Sequence, residues 1–180
     1  MSAARSQTTN RENMKTVNVA DQPGASRRIE LYFDSLADAI ADADQLHREG
    51  WSRAGNWSLG QILDHLNITL RFSFGDIPFY LPMPIRPIVK LVFWPTIVKG
   101  KPIRLRGVAP KKLQPRSEPD ESAFVQEFTE LVKKHFAPNV EFAPIHPVFG
   151  RLARQDWLLV QKWHVTHHLS FMVPSTERTV

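Results

Sequence analysis

The sequence of 180 residues contains no cysteine. This absence excludes a disulfide framework, a thiolate zinc site, an iron–sulfur cluster and a cysteine nucleophile. Any metal must therefore be held by nitrogen and oxygen ligands. The chain also lacks an uninterrupted run of about 18 apolar residues, which excludes a conventional membrane-spanning helix. The nearest approach, residues 77–98, holds five prolines and is predicted to be a buried irregular segment.

The N-terminus lacks the apolar core that a secretory signal requires. Residues 1–29 instead carry five basic and two acidic residues. We therefore expect a cytoplasmic protein in which residues 1–27 form a disordered tail. One domain should follow over residues 28–174, with a short C-terminal tail over residues 175–180. The net charge of +5 is too small to identify a partner.

Helical periodicity recurs in four long stretches of the chain. We predict principal helices over residues 35–49, 58–74, 120–136 and 154–172. The second helix has the clearest start, because Ser58 and Gln61 have the spacing of a capping box. Four amphipathic helices without a strand-rich stretch predict an all-α helix bundle.

Residues 76–119 differ from the rest because they hold nine of the 14 prolines. Only a short helix over residues 87–94 is predicted there. Within this Pro-rich insertion, residues 99–116 carry seven basic residues and no acidic one. The segment is either a phosphate- or anionic-membrane-binding patch or a solvated connector. No aromatic residue interleaves with the charge, so we favour the connector and expect no tight or specific binding of nucleic acid.

Three of the seven histidines cluster at His164, His167 and His168. At 100° per residue, His168 lies about 40° from His164 on the helix circumference, and both fall on the inward stripe between Trp157 and Phe171. His167 lies about 100° from His168. Histidines four residues apart share one face and can reach one ion, whereas His167 is better placed to orient a ligand or substrate.

A third ligand must come from another helix, and His65 is the best candidate. It lies at the edge of the apolar arc of the second helix, near Phe72. Three neutral imidazoles without sulfur suit zinc, nickel or a similar divalent ion, and they leave a coordination position open. The alternative is that these are core histidines bonded to Gln161, Gln61 or backbone carbonyls.

The remaining histidines are interpreted as structural. We read His47 as a surface residue near a helix end and His135 as a cation at a helix C-terminus. His146 is interpreted as a loop residue before Pro147.

Two motifs resemble those of the DinB-like metalloprotein superfamily, a group of four-helix bundles. Residues 57–66, WSLGQILDHL, look like its second-helix motif, and residues 163–169, WHVTHHL, look like its last-helix motif. The HPVFG sequence at residues 146–150 and the doubled His167-His168 resemble one bacterial branch of unknown function.

This resemblance implies an up-and-down four-helix bundle with a divalent metal at one end, held by His65, His164 and His168. It also implies activities in which the metal activates a low-molecular-weight thiol. The chain departs from the pattern in its long insertion over residues 76–119. It also has no carboxylate on the histidine face of the last helix, which argues against a carboxylate general base.

Two functions follow from these observations. The first is a metal-dependent transferase or hydrolase in which a metal-activated thiol or water acts on a small electrophilic substrate. Trp157, Phe72 and Phe171 would shape its pocket, and His167, Gln61 and Gln161 would support it. The second is a non-catalytic helical module, with or without metal, that binds a partner or an anionic surface through residues 99–116. A homodimer is compatible with both.

Overall fold

The computed structural model describes residues 26–100, 110–116 and 120–175. Most of the predicted N-terminal tail lies outside the described residues, as do the last five residues of the chain. Two parts of the Pro-rich insertion, residues 101–109 and 117–119, also lie outside them.

The described part of the chain is mostly helical. Its five α-helices are α1 (Asp38–Glu49), α2 (Leu59–Arg71), α3 (Ile85–Val98), α4 (Glu121–Phe136) and α5 (Arg154–Leu169). The four principal helices predicted from the sequence are all present, with ends that differ by at most three residues. None of the helices in the described ranges is long and apolar enough to cross a bilayer.

The start of α2 is fixed by the capping box that the sequence predicts. The Ser58 hydroxyl accepts a hydrogen bond from the Gln61 backbone N–H at 3.2 Å, and the Gln61 side chain accepts one from the Ser58 N–H at 3.0 Å. A 3-10 turn over Phe72–Phe74 follows α2, and Gly75 ends it with a left-handed φ of 95°. This end needs glycine because a Cβ is strained at that φ.

Helix α3 corrects two predictions. The short helix expected over residues 87–94 is longer, and the segment expected to be buried carries an exposed apolar face. Leu91 on α3 and Met83 just before it are each 78 % exposed. Pro84 and Pro87 are compatible with this helix because they lie at its start, where their missing N–H groups have no helical partner. Pro95 lies inside the helix, in its last turn.

Short strands are the other departure from the all-α prediction. Strand β1 (Trp51–Arg53) pairs antiparallel with β4 (Met172–Pro174), and β2 (Ile145–His146) pairs with β3 (Gly150–Arg151). Strands of two or three residues are too short to have a detectable alternating pattern. The first pair also joins segments more than 100 residues apart in sequence, which local patterns do not predict.

The helices enclose two apolar cores. In the first, α2 packs against α4 and α5, and α1 packs against α4. The second lies where α3 and the segment before α5 pack against α5, around the fully buried Trp157. The face that α2 presents to α5 lies next to both cores, and the clustered histidines are found there.

Arg27 and Arg28 attach the start of the described chain to this core. Arg28 forms a bidentate ion pair with Asp42 on α1 at 2.6 and 2.8 Å. Arg27, which belongs to the predicted tail, donates to Ser170 at 2.7 Å and to Nδ1 of His167 at 2.9 Å. The ordered domain therefore begins before residue 28.

Candidate metal centre

The packing of α2 against α5 brings three imidazoles together. His65 lies in the middle of α2, and His164 and His168 lie one turn apart on α5. Nε2 of His164 is 3.4 Å from Nε2 of His65 and 3.0 Å from Nε2 of His168. One ring nitrogen from each histidine lies within 4.8 Å of the other two. Helices α2 and α5 therefore lie side by side, as the choice of His65 as the third ligand requires.

A hydrogen bond on its outer side fixes the tautomer of His65. Nδ1 of His65 is 2.7 Å from the Leu113 carbonyl, so it must carry the proton. Nδ1 of His164 is 3.3 Å from the Thr69 hydroxyl, which also lies within hydrogen-bonding distance of the His65 and Leu66 carbonyls. When the hydroxyl donates to one of these carbonyls, it accepts from Nδ1 of His164, and the Nε2 atoms of both neutral rings then present lone pairs to each other.

In that tautomer the arrangement is unfavourable without a cation. The two lone pairs 3.4 Å apart repel, and a donor from His168 satisfies only the one on His164. A divalent cation would satisfy all three nitrogens at once. Tetrahedral zinc with Zn–N bonds of 2.0–2.1 Å places ligand nitrogens about 3.3 Å apart. The two measured separations bracket that value, so the three histidines could hold one metal ion.

The protein environment keeps these rings neutral, which is the form that binds metal. Burial lowers the pKa of His164 and His168 well below the usual 6.5. Burial also lowers the pKa of His65, against opposing effects from the Leu113 carbonyl and Asp64. The Trp57 ring stacks on His168 with an interplanar angle of 12° and a centroid distance of 5.9 Å. Trp57 thereby limits the orientation of the third imidazole.

A cavity of about 180 Å³ opens beside the triad. Its wall includes His65 and His164, so a molecule in the cavity would lie next to the histidine cluster. The rest of the wall is mostly apolar, with a few polar groups. It comprises Thr69, Phe72, Phe79, Leu113, His146, Val148, Phe149, Val160, Gln161 and Trp163.

The other six predicted site residues are distributed more widely. Phe72 and Gln161 line the cavity, and Gln161 donates to the Thr69 carbonyl at 2.9 Å. The His167 ring lies against His168, but its Nδ1 faces Arg27. Burial, followed by the charge of Arg27, lowers the pKa of His167 to about 4.

The remaining three lie outside the cavity wall. Gln61 is used by the capping box of α2. Trp157 packs beneath the cavity against His146. Phe171 contacts His167 and Arg27.

Two of the histidines interpreted as structural require correction. His135 is not a helix-terminal cation, because its side chain is fully buried and burial lowers its pKa to about 4. His146 is not a plain loop residue, because it is buried, belongs to β2 and lines the cavity. His47 fits its prediction more closely, since it is partly exposed and contacts Glu121 at 2.8 Å.

Sequence reasoning also missed the groups that orient the ligand rings. The Leu113 carbonyl comes from a 3-10 turn over Lys111–Leu113, inside the Pro-rich insertion. No side-chain pattern indicates which backbone carbonyl will meet a histidine. Thr69 could have been found, because it lies one helical turn after His65 on the same face of α2.

Comparison with known proteins identifies a family for this chain. The family described as "Protein of unknown function (DUF1569)" matches residues 25–175, which include both helices of the triad and the segment that lines the cavity. No curated protein and no solved structure matches the chain. Because the match covers most of its length, the chain belongs to the DUF1569 family.

Proposed function

We propose that His65, His164 and His168 bind one divalent cation, zinc or nickel, and that the chain is a metal-dependent enzyme acting on a small electrophilic substrate. The observation that carries this proposal is the convergence of three imidazole nitrogens, all within 4.8 Å of one another, beside a cavity. The three nitrogens suit a borderline divalent ion because they are neutral, mutually close and without competing carboxylates. Three protein ligands also leave a position for a further ligand.

The proposed enzyme would divide its tasks between the ion and the surrounding side chains. A bound divalent ion supplies Lewis acidity, which lowers the pKa of a water or of a low-molecular-weight thiol. The Thr69 hydroxyl and the Leu113 carbonyl hold the ligand rings in the tautomer that exposes Nε2. Phe72 and Phe149, in the cavity wall, exclude bulk water from a molecule beside the triad. The proposed reaction is a group transfer or a hydrolysis.

The arrangement of the principal helices supports the DinB-like relationship that the motifs suggest. We infer that α1, α2, α4 and α5 form a four-helix bundle related to that superfamily, with α3 inserted between its second and third helices. The packing of α2 on α4 and α5 and of α1 on α4 supports a bundle, but it pairs helices that would be diagonal in the up-and-down order expected from the sequence.

Metal titration with matched variants tests the proposal. Purified protein is stripped of metal and titrated with zinc or nickel against a chromophoric chelator. We expect the wild type and His167→Ala to bind one equivalent, because the His167 ring faces Arg27. Alanine at His65, His164 or His168 should weaken binding at least about a hundredfold, since each removes a ligand.

Two outcomes would overturn this assignment. Loss of the metal in His167→Ala with retention in His168→Ala would mean that the ligands are misassigned. Equal metal content in all variants, with unchanged circular dichroism spectra, would mean that the triad is not a metal site.

A second function has one observation in its favour, the exposed apolar face of α3. Ile85, Ile88, Leu91, Val92 and Val98 are all exposed and fall within an arc of about 140° on this helix. Residues 77–117 carry nine Lys or Arg and no Asp or Glu. An apolar helix face within a uniformly basic segment is typical of peripheral binding to an anionic lipid surface. Two copies meeting through this face would instead bring like charges together.

Vesicle sedimentation tests this second function. If α3 binds anionic lipid, the protein should sediment with phosphatidylglycerol-containing vesicles at low salt and much less with phosphatidylcholine alone. Leu91→Glu should reduce the binding roughly tenfold, whereas Phe136→Ser, which changes an exposed apolar residue at the end of α4, should not. Equal binding to both lipids, or a dimer in sedimentation velocity that Leu91→Glu dissociates, would reject it.

A further inference from the structure

His146 is the one buried histidine of the cavity wall that has no part in the triad. It lies in β2 and is 7 % exposed. Its ring packs between Trp157, at a centroid distance of 4.6 Å, and Phe149, at 4.9 Å. The side chain is therefore held in one orientation beside the same cavity that His65 and His164 line.

The backbone after His146 fixes the tautomer of this ring. Nδ1 accepts hydrogen bonds from the N–H groups of Val148 at 3.0 Å and Phe149 at 3.2 Å. A ring nitrogen that accepts carries no proton, so the proton is on Nε2. Within the described residues, that Nε2–H has no acceptor and is not sealed in the core. Burial lowers the pKa of His146 to about 3, so the ring stays neutral and keeps this donor at neutral pH.

Other polar groups of the cavity wall already have partners. The Gln161 amide donates to the Thr69 carbonyl and the Ser73 hydroxyl, and Nδ1 of His65 donates to the Leu113 carbonyl. The Thr69 hydroxyl lies within hydrogen-bonding distance of the Leu66 carbonyl and of Nδ1 of His164, and Trp163 also has an interaction partner. The His146 Nε2–H, which has no acceptor among the described residues, is available to a molecule in the cavity.

The size and lining of the cavity restrict that molecule. A cavity of about 180 Å³ is slightly larger than the engineered cavity of roughly 150 Å³ that holds benzene, so a single ring with a small substituent fits. No Asp, Glu, Lys or Arg lines it in the described part of the chain. A charged ligand would therefore be desolvated without a partner.

We propose that this cavity binds a small, uncharged and largely apolar molecule that carries one hydrogen-bond acceptor, and that the His146 Nε2–H binds the acceptor. This assignment rests on the proposed enzymatic function, in which the cavity is the substrate site. The acceptor, such as a carbonyl oxygen, is then held on the wall that His146 shares with His65 and His164. His146 acts in this site as a positioning donor rather than as a metal ligand.

A matched pair of fluorinated probes tests the proposal on the full-length chain. Binding of 4-fluoroacetophenone and 1-ethyl-4-fluorobenzene is measured by fluorine NMR, with EDTA present so that no metal can bind the ketone. The two probes have similar shapes, but only the ketone has an acceptor. We expect the ketone to bind about five- to tenfold more tightly, the range that one neutral hydrogen bond supplies.

Two variants test whether His146 and the cavity are responsible for the tighter binding of the ketone. His146→Asn keeps a side-chain acceptor for the backbone N–H groups of Val148 and Phe149. Its amide donor lies nearer the main chain and does not reach the position of the His146 Nε2–H. This variant should bind both probes with the affinity that the wild type shows for the ethyl compound. Val160→Phe fills the cavity and should abolish binding of both.

Several results would overturn the proposal. They are equal affinity of the wild type for both probes, no binding of either probe, and an unchanged preference for the ketone in His146→Asn. The wild-type comparison stands even if a variant fails to fold. Because metal is absent throughout, failure here is distinguishable from failure of the metal titration, which tests the enzymatic function separately.

Discussion

Thr69 illustrates how a single hydroxyl can determine what a histidine offers to its surroundings. It is buried, and when its hydrogen is donated to a carbonyl of α2, the hydroxyl accepts from Nδ1 of His164. In that arrangement the Nε2 lone pair of His164 faces His65 and His168. Groups that orient ligand imidazoles typically contribute 10- to 100-fold to metal affinity.

We therefore predict that Thr69→Val lowers zinc affinity about 10- to 100-fold, because valine keeps the volume and loses the acceptor. The melting temperature of the metal-free protein should change by no more than a few degrees. Competition titration and thermal unfolding in EDTA measure the two quantities. Unchanged zinc affinity in Thr69→Val would show that His164 is oriented by something else.

His135 is the residue at which the sequence pattern was most misleading. A histidine in the last turn of a helix suggests a cation that interacts with the dipole. Here the ring is enclosed, with Nδ1 2.7 Å from the Leu131 carbonyl and Nε2 3.0 Å from the Ser73 hydroxyl. Ser73 in turn accepts from Gln161, so its own hydrogen is free to bond Nε2. Both contacts of the ring require the neutral form.

This burial predicts acid sensitivity. Burial lowers the folded-state pKa of His135 to about 4, whereas the unfolded chain has a value near 6.5. The unfolded state binds more protons between these two values, so stability is full above pH 6.5 and falls as the pH drops toward 4. By this linkage His135 accounts for a loss of about 2 kcal/mol between pH 7 and pH 5.

Urea unfolding in EDTA at the two pH values measures that loss. His135→Gln, whose side-chain oxygen can accept from Ser73 but does not titrate, should lose about 2 kcal/mol less than the wild type on acidification. Equal losses in both proteins would mean that His135 is protonated without penalty in the fold.

At the scale of elements, α2 is the helix on which the proposed site most depends. It carries His65 and Thr69, and its first turn is held by the capping box of Ser58 and Gln61. Both the box and the helix were predictable, because capping depends on residues three apart in sequence.

We predict that Ser58→Ala lowers the free energy of unfolding by about 1 kcal/mol, since it leaves the Gln61 N–H without its acceptor. Ser122→Ala is the matched control, because Ser122 lies in the first turn of α4 but is not its cap, which is Asp120. Chemical denaturation of the two variants measures the difference. Equal stabilities would mean that the box does not stabilise α2.

The structure of helix α3 was predicted incorrectly from the sequence. Its prolines indicated an irregular segment, and its apolar composition indicated burial. Proline at a helix start leaves the hydrogen bonding of the helix intact, which accounts for Pro84 and Pro87. Burial depends on what packs against an element, and only one face of α3 packs against the protein, with Ile97 at its centre.

In the molecule as a whole, the tertiary fold limits how much of the site can be predicted from the sequence. His65, His164 and His168 were predictable because helical periodicity places each on an inward face, and the resemblance pairs the two helices. The Leu113 carbonyl and His146 were not, because both lie in irregular segments that only the tertiary fold brings to the triad. The cavity likewise arises between elements, and no single segment encodes it.

The central claim is that the three histidines bind one metal ion through their Nε2 atoms. X-ray absorption at the metal edge of the zinc- or nickel-loaded protein tests it most directly. We predict three imidazole nitrogens in the first shell, at about 2.0–2.1 Å for zinc, and the loss of this imidazole signature in His164→Ala. A first shell without imidazole, or a spectrum that His164→Ala leaves unchanged, would contradict the account.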